Sequence, residues 1–316
     1  MSLEPSDLTE VRINAPRSMK PSASPSTPLR RLTLLTLGLS ILFSPALYEL
    51  ARLSFRNDLH SHILLVPFIS LYLAWLKKDR ISNQPAPAWW PAGIFTALGS
   101  ALVAGYWTAL GSGWEPVGHD GLSLLIAAFV LFVWSASAIA MGSSTLRLMF
   151  FPLAFLLFMV PFPAKAESGI EHFLQHGSAE VSYLLLKMIG TPVLRDGTQF
   201  MLPNITLNVA PECSGIRSSL VLFITALLAG HFFLRKAWTQ LTLAASVIIL
   251  GIIRNAVRIV ILAELCVHVD PDFIHSALHR RGGPIFFAVS LLPFFLLVWL
   301  LRKAERASRT RQPGPE

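Results

Sequence analysis

The sequence predicts an all-α polytopic membrane protein of about eight transmembrane helices, with an outer-face amphipathic helix and a short hairpin before span six. Composition is the first reason. Of the 316 residues, 53% are hydrophobic and only 14% are charged, whereas a soluble protein carries roughly 25% charged residues. Length is the second reason, because several apolar runs reach about 20 residues, enough to cross the hydrocarbon core of a bilayer.

Eight apolar runs qualify as spans, and they form a central domain with a tail at each end. Residues 1–29 are rich in Pro, Ser and charge and have no apolar period, which predicts a disordered cytoplasmic tail. The transmembrane domain covers 30–303, and 304–316 form a basic cytoplasmic tail. The expected spans are roughly 32–51, 59–76, 88–110, 121–141, 146–162, 214–234, 237–264 and 284–301.

Lysine and arginine set the predicted orientation. With the N-terminus in the cytoplasm, most of the 26 basic residues fall in inside segments, and every inside loop carries at least one. This is the pattern of the positive-inside rule. Eight spans then leave both termini in the cytoplasm. The net charge of +8 therefore concerns topology, and no nucleic-acid partner is expected.

The long segment between spans five and six, 163–212, lies outside in this topology. From Glu171 to Met188 apolar residues recur at helical spacing, which predicts an amphipathic helix on the outer surface of the membrane. From Thr191 to Val209 an Asp196-Gly197 turn signal is followed by alternating apolar residues, which predicts a short hairpin. The hairpin would deliver the chain to the start of span six.

Span six begins with polar residues, and Cys213 lies at this junction. Free backbone N–H groups and the dipole at a helix start stabilise a thiolate. Arg217, four residues later, would add a positive charge on the same helical face, so the thiol would be a better nucleophile. The alternative is a small buried cysteine beside an arginine that reaches the head groups. Cys213 and Cys266 make no disulfide framework or zinc pattern, so no metal or other cofactor is expected.

Span seven carries Arg254, Asn255 and Arg258 in its outer half. An arginine at membrane depth costs on the order of several kcal/mol and usually faces the bundle interior or a cavity. Two arginines four residues apart line one stripe of the helix, and Asn255 adds a neutral donor and acceptor. A functional role is favoured. The structural alternative is that the arginines reach the outer head groups or pair with Glu264.

The last outer loop carries histidines, and His275 and His279 are both candidates for a general acid or base. Cysteine, arginine and histidine from distant segments thus meet at the outer face, which fits covalent acyl transfer. Two other classes remain open. A transporter of an anionic substrate would keep the arginines and histidines but would not need Cys213. A non-catalytic membrane assembly protein would bind a substrate helix without shortening it.

At these residues the chain resembles the exosortase/archaeosortase family of membrane cysteine transpeptidases. The resemblance covers about residues 32–302. It is specific because three motifs occur in order at family spacing. The matching stretches are Ala210 to Ser219, Asn255 to Arg258 and His279 to Gly283, with weaker matches at Ser61-His62, Leu65 to Pro67 and Met159 to Pro163.

The resemblance implies a catalytic role for three residues. Cys213 would be the nucleophile, Arg258 the essential arginine and His279 the third member, preferred over His275 because a glycine follows it four residues on. The residues themselves also suggest supporting or substrate-binding groups, which are Arg217, Arg254 and Asn255.

The resemblance also implies the substrate class and the location. Family substrates are exported proteins whose C-terminal sorting signal consists of a short motif such as Pro-Glu-Pro, a transmembrane helix and a basic tail. The enzyme cleaves near the motif through a thioacyl intermediate and passes the new carboxyl end to an acceptor. We therefore expect a bacterial inner-membrane thiol protease or transpeptidase whose active site faces the periplasm.

Overall fold

Helices make up most of the computed structural model. The structure describes residues 27–81, 86–203, 205–209, 214–275 and 282–310. Of the predicted tail 1–29, only residues 27–29 fall within these ranges. Cys213 and His279 lie outside them. Its α-helices are α1 Thr27–Leu42, α2 Ser44–Arg56, α3 Val66–Trp75, α4 Trp89–Gly111, α5 Asp120–Leu148, α6 Phe150–Phe155, α7 Ala164–Ile189, α8 Ile216–Phe233, α9 Ala237–His268 and α10 Gly283–Thr310.

The predicted class, an all-α polytopic membrane protein, is confirmed. Within the described residues, α4, α5, α8, α9 and α10 are each long and apolar enough to cross a membrane. Two bent pairs, α1 with α2 and α6 with α7, raise the number to seven if each pair is one span. The count of eight therefore stays a prediction. α10 continues to Thr310, beyond the predicted end of the transmembrane domain at residue 303.

Proline residues lie at the two sharp bends of the chain, one within the first predicted span and one after the fifth. The predicted first span is two helices bent by 78°. α2 has Pro45 in its first turn, where the missing N–H and the ring prevent a continuous helix. In the second pair, the bend of 93° follows the 3₁₀ turn Leu156–Met159 and the prolines Pro161 and Pro163. α7 therefore leaves the direction of α6 almost at a right angle.

The segment between α6 and α8 consists of α7 and a small sheet. The predicted amphipathic helix is present and longer than expected, beginning at Ala164 and ending at a left-handed Gly190 (φ 91°). The predicted hairpin at Asp196-Gly197 is present as β1 Leu194–Asp196 and β2 Gln199–Leu202. A third strand, β3 Ile205–Asn208, extends it to an antiparallel meander. The apolar alternation changes phase between Leu202 and Ile205, because the chain turns at Pro203 and adds a third strand.

The sheet and α7 pack against the C-terminal half of α9. Leu186 of α7 and Phe200 of β2 are fully buried in a cluster with Val260 and Ala263 of α9. Val209, directly after β3, belongs to the same cluster and is also buried. This packing anchors the chain just before the cysteine motif to the helix that carries the arginine motif.

α8 and α9 approach each other closely through small residues. A Cβ added at Gly251 of α9 would lie only 2.6 Å from the hydroxyl oxygen of Ser219 on α8. Contacts between small residues let the backbones of membrane helices come close. Towards the other end of the pair, the fully buried side chains of Leu222, Leu243 and Phe294 join α8 and α9 to α10.

At the opposite end of α9 from the arginine motif, Glu305 of α10 caps the helix. Its carboxylate accepts hydrogen bonds from the backbone N–H groups of Arg235 and Lys236 and from the hydroxyl of Thr239. A carboxylate at a helix start satisfies free N–H groups and the helix dipole. α10 therefore holds the turn between α8 and α9.

We expect Glu305→Gln to destabilise the protein by about 1–3 kcal/mol, because hydrogen bonds to a neutral amide are weaker than those to a carboxylate and one of the donors, the Thr239 hydroxyl, is buried. The measurement is the thermal unfolding midpoint of the purified protein in detergent. Glu49→Gln is the matched control, since Glu49 only forms an exposed salt bridge with Arg52 and such pairs contribute little. Equal midpoints for the two variants would contradict the prediction.

Candidate active site

Arg254 is a buried arginine in the C-terminal half of α9. Its side chain is only 8% exposed. Nη2 of Arg254 donates to the carbonyl oxygen of Gly215 at 3.4 Å and to the hydroxyl of Ser219 at 3.3 Å. The arginine therefore does not reach the head groups. It faces the bundle interior and contacts the start of α8.

Gly215 is the N-cap of α8, with a left-handed backbone (φ 75°). A Cβ built at this position would lie 3.1 Å from the side chain of Asn255 and 3.4 Å from Nη2 of Arg254. Glycine fits both demands, because it adopts positive φ without strain and leaves room for α9. Ser214, just before it, is 1% exposed. The end of the cysteine motif thus lies directly on the arginine motif.

The expected partnership of Arg217 with the cysteine stays a prediction, and the structure shows a different partner for Arg217. α8 begins at Ile216, so Cys213 precedes its N-cap, Gly215, by two residues in sequence. Arg217 instead forms a salt bridge with Asp58, with 2.9 Å between its Nη1 and Oδ2. Both side chains are largely exposed. Arg217 therefore links α8 to the 3₁₀ segment Asp58–Leu65, and Cys213 itself lies outside the described residues.

The 3₁₀ segment Asp58–Leu65 packs beside the start of α8, where Leu59 contacts Ile216 and Leu174. It contains the weakly matching Ser61-His62 pair. His60 in the same segment is fully buried, and neither of its ring nitrogens has a hydrogen-bond partner in the described part of the chain. Its ring meets the ring of His119 at 5.2 Å between centroids. The weak upstream resemblance thus falls on a segment that contacts α8.

The other arginine-motif residues lie on the same helix. Asn255 is buried, and Arg258 is half-buried one turn beyond Arg254. The predicted alternative was a pairing with Glu264. The carboxylate of Glu264 accepts from the hydroxyl of Thr191 and pairs with His268 at 3.1 Å. No described salt bridge joins Glu264 to Arg254 or Arg258.

The chain on each side of the cysteine is held in place. Before the cysteine, the backbone N–H of Val209 donates to Thr198 at 3.0 Å, and the carbonyl of Val209 accepts from the side chain of Gln175. After the cysteine, Ser214 is buried and Gly215 contacts Arg254. Residues 210–213 lie outside the described residues. The two anchored points on either side of them both contact the C-terminal half of α9.

The histidine loop is only partly described. The backbone of the 3₁₀ turn Pro271–His275 follows α9, and α10 begins at Gly283. His279 and residues 276–281 lie outside the described residues. Among the residues that are described, no group of three or more His, Cys, Asp or Glu is arranged to hold a metal ion.

Two members of this site were missed by the sequence analysis. Ser219 binds Arg254, and Gly251 makes room for Ser219. A serine in one span and a glycine in the next are the small residues typical of close helix contacts. Small residues in both spans indicate a close helix contact, but the sequence does not show which serine contacts which glycine.

A comparison with known protein families shows which family this chain belongs to. A family model described as transmembrane exosortase matches residues 54–296. The chain belongs to the exosortase family. The match runs from α2 to α10 and includes the cysteine motif, the arginine motif and the histidine loop. No curated protein and no solved structure matches. Membership supports a general role for this exosortase as a membrane transpeptidase or protease that processes exported proteins.

Proposed function

We propose that this exosortase is a membrane-embedded cysteine protease or transpeptidase that cleaves C-terminal sorting signals of exported proteins through a thioacyl intermediate. One observation carries the proposal. Gly215, two residues after Cys213, contacts Arg254 and Asn255, which are about 40 residues away in sequence. This contact brings the cysteine motif and the arginine motif together at one end of the bundle. A cysteine without such a contact would have no arginine motif beside it.

In the proposed reaction, the thiolate of Cys213 attacks the carbonyl carbon of the scissile peptide bond. A carbon–sulfur bond forms, and the carbonyl oxygen becomes an oxyanion that the Arg258 guanidinium stabilises. The carbon–nitrogen bond then breaks, and His279 gives a proton to the leaving amine. An acceptor amine, hydroxyl or water next attacks the thioester, loses a proton to His279 and releases the thiolate.

Three further residues have supporting roles in this proposal. Arg254 and Asn255 hold the chain that follows the cysteine. Arg217 forms an exposed salt bridge with Asp58 of the neighbouring 3₁₀ segment and keeps a positive charge near the same site. No cofactor or metal enters the reaction, because a thiolate and a histidine supply the nucleophile and the proton transfers.

The proposed setting is the bacterial inner membrane, with both termini in the cytoplasm and the site on the periplasmic face. The charge pattern of the loops supports this orientation. The substrates would be exported proteins with a short motif, one transmembrane helix and a basic tail. Such a helix can lie beside the bundle in the bilayer, so that its motif reaches the cysteine at the outer surface. The tails 1–29 and 304–316 and the domain 30–303 complete this topology.

A covalent intermediate provides the test. We expect a co-expressed reporter that ends in Pro-Glu-Pro, an apolar helix and a basic tail to form an adduct with the exosortase. Hydroxylamine, which cleaves thioesters, should release the adduct, and mass spectrometry should locate it on the peptide that contains Cys213. A shortened reporter that forms without any hydroxylamine-sensitive adduct, even after rapid quenching, would refute the thioacyl route. A transporter or an assembly protein predicts neither shortening nor an adduct.

A further inference from the structure

We infer that Arg254 is a positioning residue, which fixes the backbone that directly follows the cysteine and ties it to α9, the helix that carries Arg258. This inference rests on the proposed function, since it assigns a second arginine to the same reaction. The role differs from that of Arg258, which is proposed to contact the reacting oxygen. Arg254 would act through Gly215 instead.

The first support is the cost of keeping this charge buried. Arg254 is 8% exposed, and its Nη1 has no hydrogen-bond partner among the described residues. None of the described salt bridges involves it. The neighbouring charge is that of Arg258, which repels it. Buried charges are usually paired, so helix packing alone would be served better by an apolar side chain of similar size.

The second support is where the guanidinium donates. Nη2 bonds the carbonyl oxygen of Gly215 and the hydroxyl of Ser219, one helical turn apart at the beginning of α8. The first turn of α8 is thereby tied to α9 at two points. Because Gly215 is a left-handed N-cap, its carbonyl orientation sets the direction from which the preceding residues enter the helix.

The third support is the tight fit around this contact. The space beside Gly215 is limited by Asn255 and Arg254, and the space beside Gly251 is limited by Ser219. α8 therefore cannot move closer to α9 if the guanidinium is lost. A shorter or apolar side chain would leave the Gly215 carbonyl with its donors from α8 itself, the N–H of Ser219 at 3.0 Å and the hydroxyl of Ser218 at 3.1 Å. It would remove the hydrogen bonds that tie the first turn of α8 to α9. Misplacement of a catalytic group by about 1 Å can cost about 100-fold in rate.

The experiment compares Arg254→Met and Arg254→Lys with the unchanged protein, in full-length exosortase purified in detergent. Arg52→Met is the matched control, because Arg52 is an exposed arginine of α2. The readouts are kcat and KM for the Pro-Glu-Pro reporter and the thermal midpoint. We expect Arg254→Met to lower kcat by about 10- to 100-fold with KM changed less than about threefold. Arg254→Lys should recover part of the loss, because an ammonium can still donate to the Gly215 carbonyl.

Three results would overturn the inference. One is a kcat within about twofold of the unchanged protein. Another is a rise in KM alone, which would make Arg254 a substrate-binding residue. The last is a loss of activity that parallels a fall in the thermal midpoint and is not recovered in Arg254→Lys. That result would make the role of Arg254 purely structural.

A separate readout distinguishes failure of this inference from failure of the proposed function. In a Cys266→Ala background, the rate of Cys213 alkylation by N-ethylmaleimide is measured against pH, without any substrate. We expect Arg254→Met to change the rate by at least about threefold, because the backbone that directly follows the cysteine would no longer be tied to α9. An unchanged profile would overturn the inference even if Cys213 proves to be the nucleophile. A changed profile would support it even if the reporter is never cleaved.

Discussion

Cys213→Ala is expected to abolish processing of the sorting-signal reporter, with a fall in rate of at least about 1,000-fold. Removal of the nucleophile in a cysteine or serine hydrolase leaves only binding and oxyanion stabilisation, and losses of this size or larger follow. The measurement is the ratio of shortened to full-length reporter in membranes that contain equal amounts of the exosortase. Cys213→Ser should also be inactive, because a hydroxyl without a matched base is a poor nucleophile.

The second cysteine of the chain provides the control. Cys266 lies near the end of α9, is 1% exposed and packs inside the bundle. Cys266→Ala should therefore process the reporter within about twofold of the unchanged protein. Normal processing by Cys213→Ala would contradict the proposed mechanism and would favour the transporter or the assembly protein. Loss in both cysteine variants at normal protein levels would also contradict it, since the effect would not be specific to the motif.

Arg258→Met is expected to lower kcat by about 100- to 1,000-fold, the usual effect of removing one oxyanion donor. Arg258→Lys should remain impaired by about tenfold or more, because an ammonium keeps the charge but loses the planar fork of donors. Steady-state kinetics with the reporter in detergent measure both. KM should change little, since the interaction strengthens in the transition state.

Two comparisons make this result specific to Arg258. Arg52→Met should behave as the unchanged protein, because Arg52 forms only an exposed salt bridge with Glu49. The thermal midpoint of Arg258→Met should stay close to that of Arg258→Lys. A larger loss of activity in Arg254→Met than in Arg258→Met would reverse the roles assigned to the two arginines.

Much of the membrane architecture could be predicted from residue patterns. Apolar length and the low charged fraction predict a polytopic helical protein, which the structure confirms. The amphipathic period of 171–188 falls within α7. The bend within the first predicted span could not be predicted from hydropathy, because an average over about 20 residues does not register one turn broken at Pro45. The third strand was missed for a similar reason, since an apolar phase change of one residue is a weak signal.

The sequence by itself determined that this chain is a membrane protein with a cysteine motif, an arginine motif and a histidine loop, because hydropathy and motif spacing are local properties. Only the tertiary structure decided which residue each arginine contacts. Arg217 lies four residues from Cys213 in sequence but pairs with Asp58, whereas Arg254, 41 residues away, contacts Gly215. The physical reason is that the left-handed Gly215 starts α8 after the cysteine. The Ser219–Gly251 contact then brings α9 close enough for a buried guanidinium to reach that turn.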